Sequence, residues 1–241
     1  MLITHSSEMR SARGHCDESA LGPQARAANR RVVDILKRME RLQVASSLDP
    51  AFRDLHRRLL AAVDEFQRLV LIDEDRTPTC SRGCQACCWH WVEDVNSFEA
   101  EILADYVRRV FPERVPSITQ ACRDDLDAIA ELDAIVARKL RERESEIRRQ
   151  NAQIDSVDVL LACFYRLRRP CPLLDDDGCC LAYPVRPLTC RIYVSFSEPH
   201  RCDPDYIDEG APPTALLDLE ERANAILDSL HFRFRRFGDD T

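Results

Sequence analysis

The sequence predicts a mainly α-helical fold, in which a helical bundle carries two irregular, cysteine-rich loops. Three observations lead to this prediction. Apolar residues recur at intervals of three and four along most of the 241-residue chain, which places them on one face of successive helices. Two segments lack this period: residues 77–95, the first cysteine loop, and residues 168–213, the second cysteine loop, which hold four and five cysteines. No run of alternating apolar and polar residues is long enough to predict a sheet.

The predicted domain organisation is simple. Residues 1–22 are polar and unpatterned and end in a Gly22-Pro23 break, so we expect a flexible N-terminus. Residues 23–241 are expected to form a single helical domain. Its cysteine-rich region spans about residues 77–203.

The chain is expected to open with two antiparallel helices. The first is predicted over residues 24–48, where Val32, Leu36 and Met39 fall on one face. The second begins at Asp49-Pro50, with Asp49 as its N-cap and proline at the first helical position, where the missing N–H costs nothing. A short connection between two helices favours antiparallel neighbours.

Four further helices are predicted after the first cysteine loop. One starts at Ser97, with Glu101 nearby, and stops before Pro112. The longest is predicted over residues 116–153 and a shorter one over 157–167. The last is predicted over residues 214–237, and its expected buried stripe is Leu217, Ala223, Leu227, Leu230 and Phe234.

Composition excludes several classes of function. The chain has 34 basic and 42 acidic residues, a net charge of −8, and its basic residues alternate with acidic ones as on a solvated helix face. Nucleic acid is therefore not an expected partner, because phosphate binding calls for a basic stripe. No apolar run is long enough to span a membrane, and no secretory leader is recognisable, so the expected location is cytoplasmic. Twelve cysteines in a reducing compartment indicate metal or redox chemistry rather than disulfides.

The first cysteine loop contains CSRGCQACC, in which Cys80, Cys84, Cys87 and Cys88 occupy four of nine positions. The C-x2-C spacing of Cys84 and Cys87 lets both thiolates turn toward one ion. Cys87 and Cys88 are adjacent, and neighbouring side chains in an extended segment point to opposite sides. We therefore infer that these two residues face two metal centres, or different irons of one larger assembly.

The second cysteine loop supplies further thiols on a backbone restricted by prolines. Asp175 to Gly178 is predicted to form a turn in which Gly178 takes a positive φ. The turn would direct Cys179 or Cys180 toward the first loop. Eight cysteines are the candidate ligands, enough for two four-cysteine sites: Cys80, Cys84, Cys87, Cys88, Cys171, Cys180, Cys190 and Cys202.

At these residues the sequence resembles the YkgJ-like cysteine-cluster (CxxCxxCC) family, whose domains are described as zinc- or iron-chelating. CSRGCQACC matches the first part of the family pattern, CPLL the second, and GCCLAYPVRPLTCR the third. The resemblance covers about residues 77–195 and assigns the family cysteines to seven of the eight candidates, all but Cys202. Tyr183, Arg186, Pro187 and Arg191 belong to the accompanying signature. Relatives of the flagellin lysine N-methylase type imply an iron–sulfur cluster.

Other residues near the cluster are interpreted with more than one role open. Arg186 and Arg191 are expected to donate N–H groups to the sulfurs, because a four-thiolate ion is negatively charged; the alternative is surface pairing with the acidic run 175–177. The ligand candidates of lower rank are Cys179, His90 and His200. Cys122 and Cys163 lie on apolar helix faces and are predicted to be small core residues, and Cys16 is expected to have no role.

The predicted function is metal binding, with metal ions as the expected partners and no protein partner indicated. Thiolate-rich ligation selects iron–sulfur clusters, zinc or copper(I) over hard ions, and the vicinal pair favours more than one metal atom. The expected cofactor is an iron–sulfur cluster or iron, with zinc as the alternative. Two other hypotheses stay open: a structural zinc module, and a metal-dependent, methylase-like enzyme that modifies a protein or small molecule.

Overall fold

The computed structural model describes residues 13–14, 21–75, 77–80, 83–92, 95–144, 156–196, 202, 215–217, 219 and 221–235. Within these ranges the chain is mainly helical, as predicted. The helices are α1 (Pro23–Arg41), α2 (Pro50–Asp73), α3 (Ser97–Val110), α4 (Val115–Glu142), α5 (Ser156–Arg166), α6 (Leu188–Ile192) and α7 (Glu221–Phe234). None of the described helices is long and apolar enough to cross a bilayer. Most of the expected flexible N-terminus lies outside the described residues.

The α1–α2 hairpin forms as the sequence predicts. Asp49 caps α2 by accepting a hydrogen bond from the backbone N–H of Ala51 (2.8 Å), and Pro50 opens the helix. The N–H of Gly22 donates to Asp73 Oδ2 (2.9 Å), which joins the start of α1 to the end of α2 and shows that the two helices are antiparallel. Helix α1 ends earlier than predicted, because the backbone is already extended at Leu42.

Helix α3 begins with a different cap from the one predicted, and helix α4 is less buried than its apolar pattern suggested. Asn96 and Glu99 form a capping box at the start of α3, whereas the sequence had indicated Ser97 and Glu101. Helix α4 is the longest described helix, but of its residues only Asp125 and Val136 are buried. The predicted apolar stripe of this helix is therefore largely at the surface. The end of the predicted segment, residues 145–153, lies outside the described residues.

The C-terminal region differs from the prediction of one long helix. Leu217 lies in a strand, β3 (Ala215–Leu217), and α7 begins only at Glu221. The sheet order is β1 (Arg13–Gly14), β3, β2 (Tyr193–Val194), with β3 parallel to β1 and antiparallel to β2. The sequence contains no alternating run long enough to predict this sheet, because its strands of two and three residues are too short to show alternation. The other four residues of the predicted α7 stripe are buried, as expected.

The hydrophobic core lies among α1, α2, α3 and α7. The ring of Phe52 meets Phe98 edge-on at 5.8 Å and Phe234 at 4.8 Å between centroids. Phe66 and Met39 are fully buried beside them. No described cysteine belongs to this core, which leaves the cysteine loops on its outside. Leu188, the first residue of α6, is the point at which the second cysteine loop enters it.

Candidate functional site

The two cysteine loops touch one another through their backbones. The N–H of Cys171 donates to the carbonyl of Cys88 at 2.7 Å. A second contact joins the N–H of Thr79 to the carbonyl of Ser195 at 2.9 Å, and the N–H of Ser195 in turn donates to Cys80 Sγ at 3.2 Å. Segments 83 to 116 residues apart in sequence are thus held side by side, as the sequence interpretation requires.

Two glycine turns meet at a third contact. Gly178 has a φ of +74°, as predicted, and its N–H donates to the carbonyl of Asp175 at 3.1 Å. The Asp175 carboxylate stabilises the turn by accepting from the N–H of Cys179 at 2.6 Å. A Cβ at Gly178 would lie 3.4 Å from the carbonyl oxygen of Gly83, which also has a positive φ of +83°. The positive φ favours glycine at both positions.

Five thiols from both loops lie close enough to influence one another's ionisation, and we call them the inner thiol group: Cys87, Cys88, Cys171, Cys180 and Cys190. Burial, followed by the thiolate charges of Cys87 and Cys171, raises the pKa of Cys190 to about 12. Burial also raises the pKa of Cys171 to about 11, with a contribution from Cys180. The pKa of Cys180 is raised for the same reason.

The hydrogen bond between the vicinal thiols of the inner thiol group shifts their pKa values in opposite directions. A hydrogen bond with the Cys88 thiol lowers the pKa of Cys87 to about 7, and the charge of Arg186 contributes in the same direction. The same hydrogen bond raises the pKa of Cys88, as do burial and the neighbouring thiolates. Without a cation, most of this group is protonated at neutral pH; a bound metal would supply the positive charge that favours thiolates.

The remaining three candidate ligands form a second set, the outer thiol group: Cys80, Cys84 and Cys202. Burial raises the pKa of Cys202, and the charges of Cys80, Cys84 and Cys87 raise it further. The carbonyl of Cys202 lies 3.1 Å from His90 Nε2, which ties this residue to the first loop. Cys87 therefore influences both thiol groups.

Arg186 lies beside the inner thiol group with part of its hydrogen-bonding capacity unused. Its charge lowers the pKa values of Cys87, Cys180 and Cys190, each of which is also affected by larger causes. Its guanidinium stacks on the ring of Tyr183 at 4.5 Å. Its Nε is buried and has no hydrogen-bond partner in the described part of the chain. An unpaired buried donor next to several thiols suits a negatively charged sulfur centre.

Arg191 has a different role from the one predicted. Its terminal Nη1 donates to both carboxylate oxygens of Asp64, at 2.9 and 2.7 Å. Its Nη2 donates to the carbonyls of Tyr183 and Pro184, and its Nε to the carbonyl of Arg186. These contacts surround the guanidinium with oxygen acceptors. The described hydrogen bonds of Arg191 include neither a sulfur atom nor a residue of the acidic run 175–177.

Helix α6, which carries Cys190, is fixed to the helical scaffold on both sides. The buried Glu99 of α3 accepts from the N–H of Leu188 at 2.8 Å, and Gln67 of α2 donates to the carbonyl of Arg191 at 2.9 Å. Burial raises the pKa of Glu99, while its hydrogen bonds from Asn96 and Leu188 oppose the shift. Neither Glu99 nor Gln67 was predicted to have this role, because their hydrogen-bond partners are distant in sequence and therefore produce no local sequence pattern.

The lower-ranked candidates have varied surroundings. His90 packs on Tyr165 at 4.5 Å between ring centroids and contacts the Cys202 carbonyl through Nε2. Cys179 is half-buried, with its Sγ 4.0 Å from the carbonyl of Asp177. His200 and Cys16 lie outside the described residues.

The core role predicted for Cys122 and Cys163 is not confirmed. Cys163 is half-buried on α5, and Cys122 is exposed on α4 because that face of the helix turns toward solvent. Burial is the largest cause of the raised pKa of Cys171, and the charge of Cys122 also contributes to it. The Cys122 thiol therefore lies near the inner thiol group. Cys122 lies on a helix 49 residues before Cys171, and nothing in the sequence indicates that the two thiols are close together.

The described cysteines are all free thiols. No three Cys, His, Asp or Glu side chains among the described residues are already arranged around one point as ligands of an ion. Rotation about χ1 moves a cysteine Sγ among staggered positions without moving the backbone. Where the Cα atoms of several cysteines already surround a point, side-chain rotation alone is enough to bring their sulfurs onto an ion at that point.

Comparison of the chain with protein-family models, with curated proteins and with solved structures found no match. The resemblance to the YkgJ-like family therefore stays a prediction carried by the motifs quoted above.

Proposed function

We propose that this protein binds metal through clustered cysteine thiolates, in an iron–sulfur or polynuclear zinc/iron centre. The observation that carries the proposal is the backbone contact between Cys171 and Cys88, which brings free thiols of both loops into one neighbourhood. Soft thiolate ligands suit iron–sulfur clusters and zinc. When bound, such a centre supplies electron transfer or Lewis acidity, depending on the metal.

The eight candidate ligands divide most simply into two sets of four. Cys88, Cys171, Cys180 and Cys190 would hold one centre. Cys87 would join the outer thiol group, Cys80, Cys84 and Cys202, at the other. This division keeps the C-x2-C pair Cys84 and Cys87 on one centre and assigns the two vicinal cysteines to different centres.

The residues around the thiols fit a negatively charged centre. The free Nε of Arg186 is available to donate to a thiolate. The partial burial of Cys171 and Cys190 would limit the access of water to the sulfurs. Glu99, Gln67 and Arg191 would hold the backbone around Cys190 in place without taking part in ligation.

The experiment is metal and acid-labile sulfide analysis of protein purified without oxygen, together with its absorption spectrum. We expect two centres per chain, with about half of the metal lost in Cys84→Ser and about half in Cys171→Ser. Cys163→Ser is the matched control, because this half-buried cysteine is on helix α5 outside both thiol groups.

Three results separate the hypotheses. Colourless protein that contains zinc and no sulfide would favour the structural zinc module. Equal metal content in Cys84→Ser, Cys171→Ser and Cys163→Ser would contradict the ligand assignment. Protein that binds neither iron nor zinc after anaerobic reconstitution would overturn the proposed function altogether.

A further inference from the structure

A cleft of about 440 Å³ lies beside the inner thiol group, between the first turns of α4 and the start of the second cysteine loop. Cys171 forms part of its wall, and Ile118 and Leu174 give it apolar sides. This volume falls within the range of small-molecule sites in proteins. Apart from Cys171, no residue that lines the cleft is a candidate metal ligand.

The charge of this cleft is opposite to that of the whole protein. Arg114, Arg168 and Arg169 line it together with one acidic residue, Asp125, so three positive charges face one negative charge and the balance is +2. The full chain carries −8. A positively charged cleft in an otherwise acidic protein favours an anionic ligand, because a concave site concentrates the electric field of the charges that line it.

The three arginines are held in different ways. Arg169 is paired with the largely buried carboxylate of Asp125, which fixes its side chain at the cleft wall. The guanidinium of Arg168 stacks on the ring of Tyr165 at 4.5 Å. The side chain of Arg114 has no hydrogen bond or ion pair with any described residue, although its carbonyl accepts from Ser117. At least one guanidinium is thus available to a ligand without breaking an existing pair.

The backbone at Arg168 gives an independent reason to look for a role there. Its φ is +53°, in the left-handed region that ends a helix and that glycine normally occupies. Its N–H donates to the carbonyl of Tyr165 at 3.0 Å, so this residue terminates α5. An arginine in a strained position at the rim of a cationic cleft is a candidate for ligand binding.

We propose that this cleft binds a small organic oxyanion, a carboxylate or a phosphate ester with an apolar body, against the Cys171 side of the cysteine cluster. Arg114 and Arg168 would donate to the oxyanion, and Ile118 and Leu174 would contact the apolar body. Three arginines in one small cleft are too few for a nucleic-acid strand, which needs a continuous basic track. The proposal stands whether or not the thiols bind metal.

Isothermal titration calorimetry with benzoate, phenyl phosphate and the neutral benzamide tests this proposal on the full chain, with metal content measured on the same sample. We expect at least one of the two anions to bind and benzamide not to bind. Binding of benzoate alone identifies a carboxylate site, and binding of phenyl phosphate alone identifies a phosphate site.

The arginine variants locate the site. Arg114→Gln and Arg168→Gly should each weaken binding about tenfold, the usual effect of one charge-assisted hydrogen bond. Glycine suits the positive φ at position 168, so this variant removes the guanidinium without straining the backbone. Arg138→Gln is the matched control, because it removes the same charge from α4 at about 36 Å along the helix axis from Arg114, the residue that precedes α4.

Two results would overturn the proposal: no binding of either anion up to about 10 mM, beyond the range of weak complexes, or equal binding of benzamide. Equal weakening by Arg138→Gln would show a general charge effect and would also overturn it. Normal metal content with no anion binding would reject the cleft alone. Anion binding in protein that takes up no metal would reject the metal centre alone.

Discussion

Replacement of Asp64 by alanine tests whether α6 is held in place by the buried guanidinium of Arg191. The Arg191 side chain is 6% exposed, and the change would remove two of its hydrogen bonds. Charge-assisted hydrogen bonds contribute about 1.5–3 kcal/mol each. Asp64 itself is 51% exposed, so water can replace part of what is lost, and we reduce the expected total to about 2 kcal/mol.

The assay is urea unfolding, followed by circular dichroism and combined with thermal melting. For a chain of this length, the change corresponds to a fall of about 4–8 °C in the melting temperature. In metal-free protein we also expect faster alkylation of Cys190 by N-ethylmaleimide, mapped by mass spectrometry, because α6 would be held less firmly.

Glu65→Ala is the matched control for Asp64→Ala. Glu65 is the next residue on α2 and forms an ion pair with Arg68 at 2.8 Å, but both side chains are largely exposed. Such surface pairs contribute little to stability, so the control should unfold like the parent protein. If both variants have the same urea midpoint, or if Cys190 alkylation does not change in Asp64→Ala, the reasoning about Arg191 is wrong.

Two further predictions concern stability. His56 is buried, and burial, with the nearby charge of Arg191, lowers its pKa from 6.5 to about 4. The folded state therefore keeps His56 neutral while the unfolded state takes up a proton, so about 3 kcal/mol of stability should be lost as the pH falls from 6.5 to 4. Glu99, whose pKa is raised, acts in the opposite direction, so the difference in urea midpoint between parent and His56→Gln should isolate the histidine; an unchanged pH dependence in this variant would contradict the assignment. Gly178→Ala and Gly83→Ala should each cost about 1 kcal/mol, because both residues have a positive φ, while an added Cβ meets only ordinary van der Waals contact at Gly178 and open space at Gly83. Urea midpoints measure both losses, and an unchanged midpoint in either variant would contradict the assigned cost of the positive φ.

Much of the fold could be predicted because its determinants are local. The Asp49-Pro50 start of α2 and the stop of α3 before Pro112 depend on neighbouring residues, and both are found in the structure. The Gly178 turn also followed from its own sequence. The short strands were missed because β3 is specified by pairing with distant partners rather than by a pattern of its own.

The surroundings of the cysteines could be predicted only in part. Clustered thiols are visible in the sequence, and so is a nearby arginine such as Arg186. The partners of Arg191 are not, because Asp64 lies 127 residues earlier on a helix where an exposed-looking aspartate is ordinary. The position of Cys122 near Cys171 depends likewise on how α4 and the second loop pack together, which no spacing reveals.

The way the loops are held bears on what a metal would do here. Small zinc modules depend on metal for folding because they have too little core, and their ligands are the main links between segments. In this protein the described core contains no cysteine, and α6 is fixed by Glu99, Gln67 and Arg191, none of which uses a sulfur atom. The loops also meet through backbone bonds such as that from Cys171 to Cys88. We therefore expect the helical scaffold to remain folded when metal is removed, which favours a centre with chemistry of its own over one that only joins two loops.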